Sequence, residues 1–547
     1  PRKFSRVFCN FFNIFRLLDI FSRALYNIYY MELLNPTNLW ESYDRKAEPL
    51  NPSVFSVKTD DGHVTERLYF SGAVTEDGVV RVYARLEYPA GCDFKTVIVV
   101  MGNTDQPVDV LAETLQTCKT AVLLVDYVGK YDGERYTLYP KSLDYAQPEL
   151  VPDTFTRVPE SPKQTCWYVW TVDLLRAVAY VESRFGKDAR IVLVGVGSGG
   201  AQAVKTTSIV GPAGTLVLGA DVGVSSDTAF KAALSSVSYT PKIETPILAL
   251  CGSNEKDNAA DRATEYYNAG SDSMRLCIRP RSFGSISDVE LDDIRYFIRE
   301  TVEQGKKLPE CPELSIRASE GRLYCDVRAT GCDAVELYAA QAIGLTNLRN
   351  WRKIPTENAG ETRLARIAVY DRQEPIYLLA VARFGAMTLS SPIMTVNPAG
   401  MNILVDSFSC SRLVYDSECG EDDWIADGGD KPARMTTGAL GIVGITGDRE
   451  LVTFKPGDRT YAAKPGNSLQ VLIHSEVNQS VTFFALDRNG VRYVCDKQVN
   501  PFAGWVKLTF SANEFKNKDG MLESWREAAG FGASADSPIV INSMLWV

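Results

Sequence analysis

RIVLVGVGSGGAQAVKTTSI, residues 190–209, is the stretch whose reading decides the fold. Ile191 to Val194 form an unbroken apolar run, as a strand buried on both faces requires. Gly195, Gly197, Gly199 and Gly200 then permit a turn too tight for side chains, and a helix begins at Ala201. The same alternation runs outward in both directions. TVIVVMG (96–102) and AVLLVDY (121–127) read as buried strands, with a helical stretch at 107–117 between them. YVWTVDLLRAVAYVESRFG (168–186) has helical periodicity and closes on Gly186. TLVLGADV (215–222), TPILALCG (245–252) and MRLCIRP (274–280) continue the strand series, with helices predicted at 258–268 and 288–304. Strands alternating with helices at this spacing predict a mainly parallel sheet with helices on both faces. Ahead of it, LYFSGAV (68–74) and VVRVYARLEYP (79–89) alternate about Glu76-Asp77-Gly78 and predict a hairpin.

After KKLPECPE (306–313) the helical patterns stop. Short alternating runs from 314 to 396 predict a small β-sandwich of immunoglobulin-like type. Asn397-Pro398-Ala399-Gly400 punctuates a boundary, and strands recur to residue 547 as a second sandwich, expected to be a jelly roll. The expected organisation is an N-terminal extension (1–30), an α/β domain (31–306) and two all-β sandwich modules (312–398 and 401–547). The extension begins with Pro1, and Arg2, Lys3, Arg6, Arg16 and Arg23 punctuate its Phe/Ile/Leu-rich sequence. It reads either as an amphipathic membrane-surface helix or as an over-extended gene start, with the native start at Met31. Its charges fit neither a signal peptide nor a membrane span.

A 547-residue chain with net charge -10 and no basic run is a poor partner for nucleic acid. Its 12 cysteines are scattered without metal-ligand spacing, so neither a metal nor a cofactor is expected, and free thiols in a reducing cytoplasm are.

The glycine turn carries the chemical question. A G-x-Ser-x-G turn between strand and helix presents a serine at its tip, with amides of the helix start ready to hold an oxyanion. Here Gly195 and Gly199 are the flanking glycines and the tip is Gly197; Ser198 falls one residue late. The chain has only two histidines, His63 and His474, and neither lies in the strand–helix series after the hairpin. Histidine is the usual base at neutral pH, so a serine triad has little to draw on.

Residues 31–305 resemble the acetylxylan esterase and cephalosporin-C deacetylase group of α/β-hydrolases. The likeness rests on VDYVGK (125–130), YTLYPKSLDYA (136–146), CWYVWTVDLLRAVAYVES (166–183) and RIVLVGVGSGGAQA (190–203). It implies a serine at the elbow, an acid after the seventh strand and a histidine after the eighth. The serine position is Gly197. The acid loop Gly252-Ser253-Asn254-Glu255-Lys256-Asp257 offers Glu255, with Asp257 as a neighbour, and the loop 279–287 holds no histidine. Gly102 and Asn103 match the oxyanion loop. GWVKLTFSANEF (504–515) and SPIVINSMLWV (537–547) resemble galactose-binding-like jelly rolls, which implies a carbohydrate-binding module. Trp424, beside Glu421, Asp422 and Asp423, is the expected surface tryptophan, and Trp351 is a candidate platform.

The resulting expectation is a degenerate esterase that binds a saccharide or an acylated small molecule. Two alternatives stand beside it: an active carboxylic-ester hydrolase using Ser198 with Glu255 or a lysine, and a non-catalytic carbohydrate-binding or scaffold protein.

Overall fold

The computed structural model describes residues 34–91, 94–102, 111, 115, 120–128, 136–147, 159–219, 228–255, 258–283, 288–360, 362–406, 411–427, 433–501 and 504–547. The extension 1–30, most of the predicted helix 107–117, Asn103 and Asp257 lie outside them.

Nine strands form one mixed sheet: β1 (Ser53–Asp60), β2 (His63–Thr75), β3 (Gly78–Pro89), β4 (Thr96–Met101), β5 (Ala121–Val125), β6 (Arg190–Val196), β7 (Gly214–Leu218), β8 (Ile247–Gly252) and β9 (Met274–Arg279). Their order is β1-β2-β3-β5-β4-β6-β7-β8-β9. Strands β4 to β9 are parallel, while β1, β2 and β3 join by antiparallel pairs that end on β5. β5 and β6 flank β4, so the chain leaves the middle of the sheet in opposite directions. The crevice at the carboxyl ends of β4 and β6 is the switch point, where ligands bind in such sheets.

Helices cover both faces. The α1 helix (Cys166–Phe185) is capped by the Thr165 hydroxyl, which accepts from the Tyr168 amide, and it ends on Gly186 at φ 89°. With α2 (Gly199–Val210) it buries Trp170, Leu174, Ala201 and Ala203 against Val97, Val99, Leu123 and Leu193. On the other face α5, preceded by the short α3 (Ala229–Leu234) and by α4 (Ala259–Ala269), spans Asp288–Tyr296. It runs on into a π-helical stretch, Phe297–Glu303, and packs Ile294, Phe297 and Ile298 against Ile98, Val100, Leu124 and Val194. Among the described residues no helix is long and apolar enough to cross a membrane.

The predicted strands fall where the apolar runs place them. The sequence pattern misses β1, and the reason is physical. All but one of its side chains are exposed, so burial imposes no alternation on them.

Two further pairs of sheets follow, antiparallel in all their pairings. One pair, of four and five strands, lies between Glu313 and Val396 and shares a core of Leu323, Cys325, Leu337 and Leu378. The other, of six and seven strands, lies between Leu413 and Trp546 around Val471, Phe483, Phe510 and Phe531.

The first sandwich closes the edge of the large sheet. The Ile278 amide of β9 donates to the Ser390 hydroxyl at 2.8 Å. Met387 and Leu389 enter the helix-side core of the α/β part, and Trp351, Tyr377 and Leu379 pack with Ile247, Tyr266 and Leu276. Asp293 of α5 accepts from Arg279 at 2.8 Å and from the Thr388 amide at 2.7 Å. An open edge strand invites pairing with other chains, and this packing removes one.

Trp351 is 0 % exposed in that shared core, which corrects its candidacy as a binding platform. Its position on a short segment between Leu348 and the strand Arg352–Ile354 turns the indole into the junction instead of outward. Trp351→Ala is expected to lower stability by about 3–5 kcal/mol. The α/β part and the first sandwich should then still unfold in one transition, at a lower midpoint, when followed by urea titration with circular dichroism.

Candidate active site

The elbow exists as backbone. After β6 the chain turns at Gly197, whose φ of 56° is left-handed, and enters α2 at Gly199. The flanking glycines are sterically required. A side chain at Gly195 would collide with the Gly199 carbonyl, and one at Gly199 would collide with the carbonyl of Met101, the last residue of β4. The Gly197 amide donates to Leu218 O at 2.9 Å, which ties the turn to β7. Glycine therefore stands at the tip, where a nucleophile would project.

Ser198 does not replace it. Its backbone is helical, at φ -61° and ψ -22°, and its side chain makes no capping bond. Its hydroxyl lies 2.6 Å from the Tyr127 hydroxyl, and the residue is 6 % exposed. A serine at the tip faces the crevice; one residue later it faces the space beneath, beside the residue that follows β5. Ser198 thus stands at the N-cap position of α2 without capping it through its side chain. Lys205, two turns along α2, directs its ammonium to Trp167, donating to the carbonyl at 3.5 Å and lying 5.4 Å from the ring centre.

Glu255 is brought to the elbow. Its Oε2 accepts from the Gly252 amide at 3.1 Å. A side chain at Gly219 would collide with its Oε1, and the Gly197 amide nitrogen lies 3.8 Å from the same Cβ position. Gly102 also lies beside the turn, its amide 3.4 Å from where a Gly199 Cβ would stand. Asp257 and Asn103 lie outside the described residues, so the site as described holds one carboxylate of the two considered.

No histidine reaches this end of the sheet. His63 pairs with Pro89, and β3 runs antiparallel to β5 with Ala84 opposite Val125 and Glu87 opposite Val122. His63 is therefore beyond the amino end of β5, at the far edge from the elbow. His474 lies inside the last sandwich, with Nδ1 2.7 Å from Gly504 O.

The loop that would carry the base does other work. Arg281, at φ 59°, donates its amide to Ser253 Oγ at 2.9 Å and its Nε to Trp351 O at 2.7 Å. Its guanidinium also lies 3.4 Å from Asp422 of the last sandwich. Phe283 stacks on Phe454 of that sandwich at 5.9 Å. The acid loop is bound the same way: Asn254 donates its amide to Ser282 O at 2.9 Å and its Nδ2 to Arg349 O at 2.7 Å. Arg349 is held in turn by Asp261 of α4.

Trp424 is 4 % exposed and packs edge-on to Tyr415 at 5.3 Å, which corrects its reading as a surface residue. The acidic run keeps its charge outside at Asp422, while Asp423 pairs with the buried Lys455, so the next residue points into the core. Among the described residues no cluster of His, Cys, Asp or Glu could hold a metal ion.

The sequence reading missed Tyr127, Tyr139 and Asp173. Tyr139 donates to Tyr127 O at 2.5 Å and lies 3.3 Å from Asp173 Oδ2. The available signal was Asp173 itself, an acid inside the otherwise apolar run VWTVDLL.

No protein-family model and no curated protein matches the chain. Several solved structures resemble somewhat less than half of the chain. An acetyl xylan esterase from Paenibacillus sp. R4 is 14% identical, covers 47% of this chain and 90% of its own, and has a TM-score of 0.37. Acetyl xylan esterase 1 from Thermoanaerobacterium sp. JW/SL YS485 is 11% identical, over 47% of this chain and 89% of its own, at 0.35. A glucuronoyl esterase from Solibacter usitatus is 13% identical, over 47% and 88%, at 0.35. The strand order and the elbow, not these likenesses, carry the fold.

The Ser198–Tyr127 bond makes a measurable prediction. In a double-mutant cycle of Ser198→Ala and Tyr127→Phe, urea unfolding should give a coupling of about 1 kcal/mol. Additive effects would mean that the two hydroxyls do not hold each other.

Proposed function

We propose that this chain is an esterase-like α/β-hydrolase-fold protein that does not hydrolyse, and that its elbow end binds a saccharide or an acylated small molecule. One observation carries the reading: Gly197 stands at the elbow tip with φ 56°, while Ser198 turns its hydroxyl to Tyr127. Acyl transfer needs a nucleophile in the crevice with a base in reach. Here the tip has no side chain, and the base loop carries Arg281 and Phe283 as anchors for the two sandwiches. Glu255 beside Gly197 supplies a polar acceptor for a ligand hydroxyl. The ligand class rests on the resemblance of residues 31–305 to carbohydrate esterases.

A scaffold reading has its own support. Both loops that would hold the acid and the base are tied to the sandwiches, so the molecule is built for rigidity at the point where a hydrolase needs working residues. We also propose a cytoplasmic setting, on the scattered cysteines without paired spacing in the sequence.

Hydrolysis of p-nitrophenyl acetate tests the reading. The wild-type chain and Ser198→Ala should agree within about twofold, and Gly197→Ser alone should gain less than about tenfold, since a serine without its base recovers little. A loss of about a hundredfold or more in Ser198→Ala would establish catalysis and end the proposal. With no turnover, glycan-array binding supports the saccharide reading, and an empty array favours the scaffold.

A further inference from the structure

A buried acid that the elbow does not use lies on α1. Asp173 is 0 % exposed, and Gly72 of β2 packs so closely on it that a side chain there would collide with Oδ1. The Ala73 amide donates to Oδ1 at 3.2 Å. Tyr139 Oη is 3.3 Å from Oδ2. A phenol has one proton, and the 2.5 Å bond from Tyr139 to Tyr127 O uses it. Its donation to Asp173 Oδ2, at 3.3 Å, is therefore the weaker of the two. A carboxyl group fully buried with two long hydrogen bonds favours its neutral form.

The neighbouring cation is engaged elsewhere. Arg176, one turn on and 2 % exposed, donates Nε to Ser71 O at 2.9 Å. Its two terminal nitrogens donate to the carbonyls of Arg45 (2.7 Å), Glu48 (2.8 Å) and Pro49 (3.0 Å). Among the described residues no cationic group lies within ion-pair distance of Asp173. The other titratable groups facing this cluster are Tyr43 from the segment before β1, Asp126 from the turn after β5 and Tyr139, with Asp44 and Glu48 about Arg176.

We propose that Asp173 and Arg176 form a proton-controlled latch on the segment 45–49. While Asp173 is neutral, Arg176 fastens those carbonyls to α1. When Asp173 releases its proton to solvent, the carboxylate draws the guanidinium towards it and the segment loosens.

The working range is near neutrality. Burial is the main cause that raises the Asp173 pKa to about 7, against the Ala73 amide, Tyr139 and Arg176, which lower it; Asp126 adds to the rise. A carboxyl group raised above its unfolded value stabilises the closed state fully below about pH 4, and that stabilisation is lost as pH rises through 7. Opening therefore increases toward alkaline pH.

Hydrogen exchange of amides 45–51 in the full chain, corrected for intrinsic rates between pH 5.5 and 8.5, tests this. In the wild type the opening constant should rise by up to about tenfold per pH unit and level above pH 7. Asp173→Asn should stay closed and flat across the range, and Arg176→Lys should exchange fast at every pH. Tyr139→Phe removes a donor that favours the Asp173 carboxylate, so its plateau should begin at higher pH. A flat wild-type profile, a profile unchanged in Asp173→Asn, or a Tyr139→Phe plateau at lower pH would each overturn the latch.

Discussion

The backbone of Gly199 lies against the carbonyl of Met101, with no room for a methyl group between them. That contact seats the start of α2 on the carboxyl end of β4 and forces the chain between β6 and α2 into a sharp turn with a left-handed φ at its tip, Gly197. The strand order places the same turn at the switch point of the sheet. The elbow is thus a requirement of how α2 packs, and it survives whether or not the turn carries a nucleophile. The glycines serve the fold, and the tip where an elbow serine would stand is Gly197.

The loops at this end of the sheet serve as attachments. In the loops after β8 and β9, Asn254, Arg281 and Phe283 reach the first sandwich, the last sandwich, or both. Buried backbone carbonyls of Arg349 and Trp351 need donors, and these side chains supply them. A histidine at Arg281 would lose the two-sided contact that a long guanidinium makes. The absence of a base and the seating of the sandwiches are one structural fact.

The sequence made the α/β part legible because its strands are buried on both faces and leave unbroken apolar runs. The strand β1 left no pattern because nearly all of it is exposed. The vacant elbow tip was readable directly from Gly197, and the missing base from the loop 279–287. Trp424 was misread because a tryptophan beside acids looks exposed, yet it turns inward like Trp351, where its large apolar area is worth most. The Ser198–Tyr127 bond and the Asp173 cluster were illegible, because both join residues far apart in the chain through tertiary packing.

The central claim is that Ser198 is held out of the crevice. The most direct measurement is labelling of the full chain with a fluorophosphonate probe, followed by intact mass and peptide mapping. The account predicts no adduct on Ser198 under conditions that fully label a serine esterase. A stoichiometric phosphonyl adduct on Ser198 would contradict it.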